Sequence, residues 1–229
     1  MLEQLKEQVL EANLEIVRRG LVLYTFGNAS GIDRESGLVV IKPSGVPYER
    51  MKASDFVVTD LDGKIVEGQL RPSSDLATHL ALYRAFPHVG GVVHTHSRAA
   101  TVWAQAGLEI PCLGTTHADY FHGSIPVAGP LTAEEIRGEY ELNTGLAIVR
   151  RFAGLNPLSI PAVLVAGHAP FAWGKNAEGA AYNAVVLEEV AELAYRTLTL
   201  NANAAPISRE LHDRHFMRKH GPDAYYGQA

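Results

Sequence analysis

In the stretch GGVVHTHSRAAT, Gly90 to Thr101, two histidines stand one residue apart. Gly-Gly followed by β-branched valines reads as a buried strand. Side chains alternate across a strand, so His94 and His96 are expected on one face. Two imidazoles side by side can hold a metal; equally, they can be core histidines satisfied by backbone carbonyls. His168 ends the apolar run AVLVAGH and precedes Ala169-Pro170, where the chain must turn. Alone, a histidine there is usually structural. Beside an H-x-H strand it completes a three-histidine set for a borderline divalent ion such as zinc. Three protein ligands leave one position open, as catalytic metal sites do. Asp75, at the start of the helix before the histidine strand, is a candidate carboxylate ligand. The competing reading is an acid favoured by the helix dipole.

Neither a Walker A loop nor G-x-G-x-x-G is present. Three short segments could instead bind an anion: Gly27-Asn28, Lys42-Pro-Ser44-Gly45 and Ser73-Ser74. Each offers a glycine amide, a hydroxyl or a helix N-terminus, and Lys42 adds a charge, which together suit a phosphate. Each is also ordinary turn or cap chemistry.

The elements that position these residues follow from periodicity. LEQLKEQVLEANLEIVRRG spaces Leu2, Leu5, Val9, Ala12 and Ile16 at helical intervals and ends at Gly20. LVLYTFGNAS, LVVIK and DFVVTDLDGKIVEG read as strands, with Asp62-Gly63 as a hairpin turn. Ser73-Ser74 opens a helix with serine at the N-cap, and SRAATVWAQAG follows the histidine strand as another. IPCLGTTHADYFHGSIPVAG reads as strand and loop. Thr132-Ala-Glu-Glu135 is a capping box before a long helix. AVLVAGHAPFAWG is a β segment, NAEGAAYNAVVLEEVAELAYRTL a long amphipathic helix, and SRELHDRHFMRKH a last helix before the tail GPDAYYGQA. An early hairpin followed by helix–strand alternation argues for one α/β domain with a mixed sheet covered by helices.

Composition narrows the function classes. The chain has 229 residues, 47% hydrophobic and 20% charged, with net charge −5, so it can bury a sizeable core. A pI near 6.0 argues against a generic nucleic-acid binder, although a small phosphorylated substrate needs only a local cluster of donors. The lone Cys112 excludes an internal disulfide framework and fits a reducing compartment. With no signal-peptide pattern and no run of eighteen apolar residues, a cytoplasmic protein without membrane contact is expected.

The run KPSG, SSD, HTHSR, TTHADYF, HAPFAWGKNAE and RKHGPDAYYGQ resembles, in order and over essentially the whole chain, the class II (zinc) aldolase and epimerase family. The resemblance implies a three-layer α/β/α sandwich around a mixed, largely antiparallel sheet, residues 1–229 forming one domain, and a homotetramer. By motif it implies that His94, His96 and His168 bind zinc or another divalent metal, with Asp75 beside them. It implies that Gly27, Asn28, Lys42, Ser44, Gly45, Ser73 and Ser74 line a phosphate site, and that Asp119 and Tyr226 are an acid/base pair. Tyr226 rather than Tyr225 follows from alignment with the terminal Gly-Gln. One departure is Ala169, where the family usually has glycine; if positive φ is needed there, alanine would be strained.

The implied activity is epimerisation at carbon 4 of a ketopentose phosphate, whose C–H is not acidic. Breaking C3–C4, rotating the aldehyde and re-forming the bond inverts the centre. That route requires a Lewis acid for the enediolate, an anchor for the phosphate, and an acid/base group on each side of the C4 oxygen. Simple aldolases of the family tend to carry glutamate where this chain has Asp75, which favours the epimerase over an L-fuculose-phosphate aldolase-like enzyme. A sugar-phosphate dehydratase and a non-catalytic adducin-like module are the other readings; the module should lack the metal histidines. Because Tyr226 lies three residues from the C-terminus, a site shared between subunits is expected, one giving the metal and Asp119, the next giving Tyr226.

Overall fold

A computed structural model describes residues 2–226. Helix α1 (Glu3–Arg18) buries Val9, Ala12 and Ile16 along one stripe, and the chain leaves it through Gly20 at φ +71°, a left-handed residue suited to glycine. Strands β1 (Asn28–Asp33), β2 (Leu38–Ile41), β3 (Val57–Thr59) and β4 (Ile65–Glu67) pair antiparallel in sequence, and the Asp62-Gly63 turn joins β3 to β4. There follow α2 (Leu76–Ala85), β5 (Gly91–His94), α3 (Arg98–Ala106), α4 (Thr115–Ala118), β6 (Val127–Ala128), α5 (Ala133–Arg137) and α6 (Tyr140–Arg151). The chain ends with β7 (Ala162–Val165), β8 (Pro170–Gly174), α7 (Ala177–Leu200) and α8 (Arg209–His220).

The eight strands form one sheet in the order β4-β3-β2-β1-β5-β8-β7-β6. Only β6–β7 is parallel among these pairs, so the sheet is mixed and largely antiparallel, as expected. The pleat sorts the core into two layers. Ala29, Val40, Val93 and Ala172 pack with Ile16, Trp103 and Leu187 of α1, α3 and α7. Val39, Val92, Val163 and Trp173 pack with Leu80, Tyr83 and Ile148 of α2 and α6. Helices therefore cover both faces of the sheet. Gly90 and Gly91 allow β5 to pass the start of α7: a Cβ on Gly91 would lie 2.4 Å from the Asn176 carbonyl oxygen.

Several elements differ from the sequence reading. Leu21–Phe26 is not a strand, because both edges of β1 are already taken by β2 and β5, and Leu23, Tyr24 and Phe26 are exposed. The segment read as strand and loop contains the short helix α4. The Thr132 capping box is present, but it opens the five-residue α5, which stops at Gly138 before α6 begins. The N-cap position of α2 is Asp75, not a serine. Finally, AVLVAGHAPFAWG is a hairpin, with His168 in the turn between β7 and β8.

Candidate metal centre and acid/base group

Strand β5 ends at His94, so His96 sits just beyond it, in the turn before α3. The two rings nevertheless converge, with centroids 4.9 Å apart, and His168 lies 5.0 and 5.1 Å from them. One nitrogen of each ring falls within 4.8 Å of the other two. His94 Nδ1 donates to the Pro170 carbonyl at 2.9 Å, which leaves its Nε2 lone pair for a ligand. Phe171 stacks on the same ring at 4.2 Å and fixes its plane. Burial pushes the His94 pKa down to about 3 and also lowers His96 and His168, so the three rings are neutral, as ligation requires. His168 Nδ1 is buried without a protein partner. Three neutral imidazoles with converging donors fit a borderline divalent cation. The strain expected at Ala169 does not arise, because positive φ in this turn falls on Gly167 at +70°.

Asp75 lies beside this trio but outside the group of converging nitrogens. Asn28, directly opposite His94 in the β1–β5 pairing, donates through Nδ2 to Asp75 Oδ2 at 2.6 Å. Burial works to raise the Asp75 carboxyl, but the neighbouring His94 and His79 and the Asn28 hydrogen bond outweigh it and hold it low. Asn28 thus acts first on Asp75, and its Oδ1 remains buried without a partner. Beneath the site, Ser30 Oγ bridges His79 Nδ1 and Tyr83 OH, each at 2.7 Å.

Two of the three segments expected to bind an anion come together through the backbone. Ser73 N donates to the Lys42 carbonyl, Ser44 N donates to the Arg71 carbonyl, both at 2.9 Å, and Pro43 bridges Pro72. Lys42, Ser44, Gly45, Ser73 and Ser74 therefore share one end of the sheet. Gly45 has φ +70°, and Gly27 has φ +72° with no room for a Cβ beside the His94 carbonyl. Lys42 is buried, yet its ammonium makes, among the described residues, two long hydrogen bonds, 3.4 Å to the Thr25 and Pro43 carbonyls, and sits 4.8 Å over the Tyr48 ring. Desolvation lowers its pKa, partly offset by the Asp75 charge. A buried cation with weak partners suits an incoming anion.

Asp119, just after α4, belongs to a second group. Arg218 donates to it twice, Nε to Oδ1 at 3.0 Å and Nη2 to Oδ2 at 2.7 Å. His215 Nδ1 donates to Oδ1 at 3.0 Å, and Lys219 Nζ lies 3.7 Å from Oδ2. Burial would raise the Asp119 carboxyl, but the Arg218 and His215 hydrogen bonds and the Lys219 and Arg218 charges hold it below the ordinary carboxylate range. Tyr226 joins the same group: its ring lies 5.0 Å from the Arg218 guanidinium and 4.2 Å from the Lys219 ammonium. Sequence reasoning missed His215, Arg218 and Lys219; the basic run HFMRKH on the last helix was their only signal. Among the described residues, no hydrogen bond, ion pair or ring contact links this group to the three histidines.

Comparison with known proteins agrees with the geometry. Residues 7–195 match the Class II Aldolase and Adducin N-terminal domain. The chain is 60% identical over 227 residues to proteins named L-ribulose-5-phosphate 4-epimerase UlaF from Salmonella paratyphi A and Salmonella typhi, covering 99% of this chain and 100% of theirs. Among solved structures, an L-fuculose 1-phosphate aldolase superposes with a TM-score of 0.78 at 27% identity, covering 93% of this chain and 94% of that one. YgbL from Klebsiella pneumoniae, described as a putative aldolase/epimerase/decarboxylase, gives 0.75 at 26% identity over 93% and 99%.

Proposed function

The chain belongs to the class II aldolase and adducin N-terminal domain family, and from that premise we propose that it interconverts L-ribulose 5-phosphate and D-xylulose 5-phosphate. The observation that carries this reading is the three-imidazole centre, present in a chain 60% identical over 227 residues to proteins named as epimerases. A non-catalytic module has no use for three neutral, converging imidazoles, one buried and two reaching towards solvent.

His94, His96 and His168 would hold a divalent cation, zinc by the character of the donor set, with Asp75 beside it. When bound, that ion supplies Lewis acidity for the enediolate oxygens, worth several kcal/mol. The protein side of the reaction needs two proton-handling groups and an anchor. A base on one face takes the C4 hydroxyl proton, the C3–C4 bond breaks, and its electrons move into the ketone to give the enediolate of dihydroxyacetone. Glycolaldehyde phosphate stays tethered while its carbonyl rotates, and re-addition on the other face leaves an alkoxide that takes a proton from the second group. Asp119, ionised by its cationic neighbours, and the Tyr226 hydroxyl are assigned these two places. Lys42, the Gly45 amide and the Ser73 and Ser74 hydroxyls are assigned the phosphate, with Gly27, Asn28 and Ser44 lining the same end. The sheet draws strands from Asn28 to Gly174, and the chain is read as one catalytic domain.

The active form is read as a homotetramer with sites between subunits. Asp119 and Tyr226 of one chain are joined through Arg218 and Lys219, and among the described residues no hydrogen bond, ion pair or ring contact links them to that chain's His94, His96 and His168. This favours a division in which one subunit gives the histidines and its neighbour gives both Asp119 and Tyr226, a heterologous arrangement that closes in a ring. A cytoplasmic location completes the reading, supported by the single buried, unpaired Cys112. No helix among the described residues is long and apolar enough to cross a membrane.

Incubation with L-ribulose 5-phosphate tests the activity. D-xylulose 5-phosphate is the expected product; accumulation of dihydroxyacetone and glycolaldehyde phosphate would instead make the protein an aldolase.

A further inference from the structure

A second group of residues whose donor atoms converge closely enough to hold a metal ion lies outside the catalytic machinery. His122 follows α4 by four residues, while His212 and Asp213 are on α8, and one donor atom from each lies within 4.8 Å of the others. His122 Nε2 is 3.0 Å from Asp213 Oδ1, and His212 Nδ1 is 3.5 Å from the same oxygen. A tetrahedral ion with ligand distances of ~2.0–2.2 Å holds its donors about 3.3–3.6 Å apart, so the two separations from Asp213 Oδ1 lie within a few tenths of an ångström of that spacing.

The buried member of the trio has two hydrogen-bonding arrangements open to it. His212 Nε2 lies 3.1 Å from the Phe121 carbonyl oxygen and 3.1 Å from the Gly123 amide nitrogen. It cannot donate to the first and accept from the second at once. In the tautomer that accepts from Gly123, Nδ1–H points at Asp213 Oδ1; in the tautomer that donates to Phe121, the Nδ1 lone pair faces that carboxylate instead. Two acceptors then face each other at 3.5 Å, an arrangement relieved by a cation between them. The His122 ring is held by the His212 and Phe216 rings, each 4.8 Å away, with its edge towards Asp213. Arg209 approaches only the other carboxylate oxygen, at 3.4 Å, and its side chain is 90% exposed, free to swing away. His122 and Asp213 are 44% and 39% exposed, so an ion can enter from solvent.

We propose that His122, His212 and Asp213 form a second, non-catalytic site for a borderline divalent cation of the zinc, cobalt or nickel class. Two imidazoles and one carboxylate disfavour magnesium and calcium, which prefer all-oxygen shells. The site clips the chain segment just after Asp119 to α8, the same two parts that Arg218 and His215 join at Asp119. Its occupation stiffens the seat of the Asp119 carboxylate.

The test titrates holoenzyme, its three-histidine centre already loaded, with Co²⁺ or Zn²⁺ in a calorimeter. One further equivalent per chain is expected, with a rise in melting temperature. His122→Phe keeps an aromatic ring on Phe216 and should lose both effects. The exposed Asp213→Asn should weaken binding at least tenfold and provides a second variant if the first fails to fold. No second equivalent in the wild type, or one that persists unchanged in both variants, overturns the proposal.

Discussion

Arg218 grips Asp119 with two parallel hydrogen bonds, Nε to Oδ1 at 3.0 Å and Nη2 to Oδ2 at 2.7 Å. Such a fork favours the ionised carboxylate and fixes its plane. Asp119 therefore stays charged to lower pH than an ordinary aspartate, and loss of activity through its protonation lies below the usual carboxylate range. Arg218→Gln removes the strongest opposing cation, so the acid limb of kcat/KM should move to higher pH. The rate on the plateau should also fall, by up to about 10²-fold if the carboxylate swings out of place. A pH–rate profile of the variant checks both. A uniform loss with an unmoved acid limb would mean that Arg218 only supports the fold.

Burial of neutral histidines gives the apoprotein an acid weakness. His79 and His117, each nearly inaccessible, have pKa values lowered by desolvation to about 4. The unfolded chain binds protons at these positions near pH 6.5 and the folded chain does not, so stability falls as pH drops from about 6.5 to 4. Each contributes about 2 kcal/mol of loss at pH 5. Denaturant melts of the apoprotein at pH 7 and 5 should show this loss, and His117→Asn should reduce it. Equal stability at the two pH values would place these rings in contact with water or a proton acceptor.

Lys42 is expected to trade stability for binding. Its ammonium is buried with two carbonyls at 3.4 Å, which compensate poorly for lost hydration. Lys42→Met removes that cost and keeps the length of the chain, so the free enzyme should melt at higher temperature, by roughly 1 kcal/mol or more of added stability. Without the phosphate partner KM should rise about 10–100-fold while kcat changes little. Steady-state kinetics beside a thermal melt measure both. A falling kcat at constant KM would move Lys42 from the phosphate to the reacting carbons.

The parts of the site legible in the sequence are those written in local pattern. His94 follows Val92 and Val93 along one strand, and Lys42, Ser44 and Gly45 sit together in one turn, so spacing alone brings them near one another. The Gly90-Gly91 pair has its reason in three dimensions: a Cβ on Gly90 would strike the Lys175 carbonyl oxygen at 2.0 Å. That contact, 85 positions along the chain, has no local signature. The same holds for the Asp119 clamp, whose partners arrive from α8 almost a hundred residues later. LVLYTFG misled for a related reason, since its β-forming residues say nothing about whether a sheet edge is free to receive them. Asn28 was read as a phosphate ligand from a Gly-Asn turn, and only the cross-strand pairing with His94 shows that it first holds Asp75.

Coexpression of inactive variants discriminates between divisions of the active site among subunits. If one subunit gives the histidines and the next gives Asp119 together with Tyr226, a mixture of His96→Ala and Asp119→Asn chains rebuilds intact sites. An intact site forms wherever an Asp119→Asn subunit, with its histidines whole, meets a His96→Ala neighbour, whose Asp119 and Tyr226 are whole. Random assembly into a ring places that pair at about 25% of sites. Asp119→Asn mixed with Tyr226→Phe should recover nothing, because each neighbour then delivers one damaged member of the linked group. The pairing of Asp119 and Tyr226 through Arg218 and Lys219 in one chain is what sets this expectation. The opposite pattern, recovery only from Asp119→Asn with Tyr226→Phe, would put Asp119 with the metal and Tyr226 alone on the neighbour. Native mass spectra confirming mixed oligomers make either pattern decisive, and recovery from neither mixture would place the whole site within one chain.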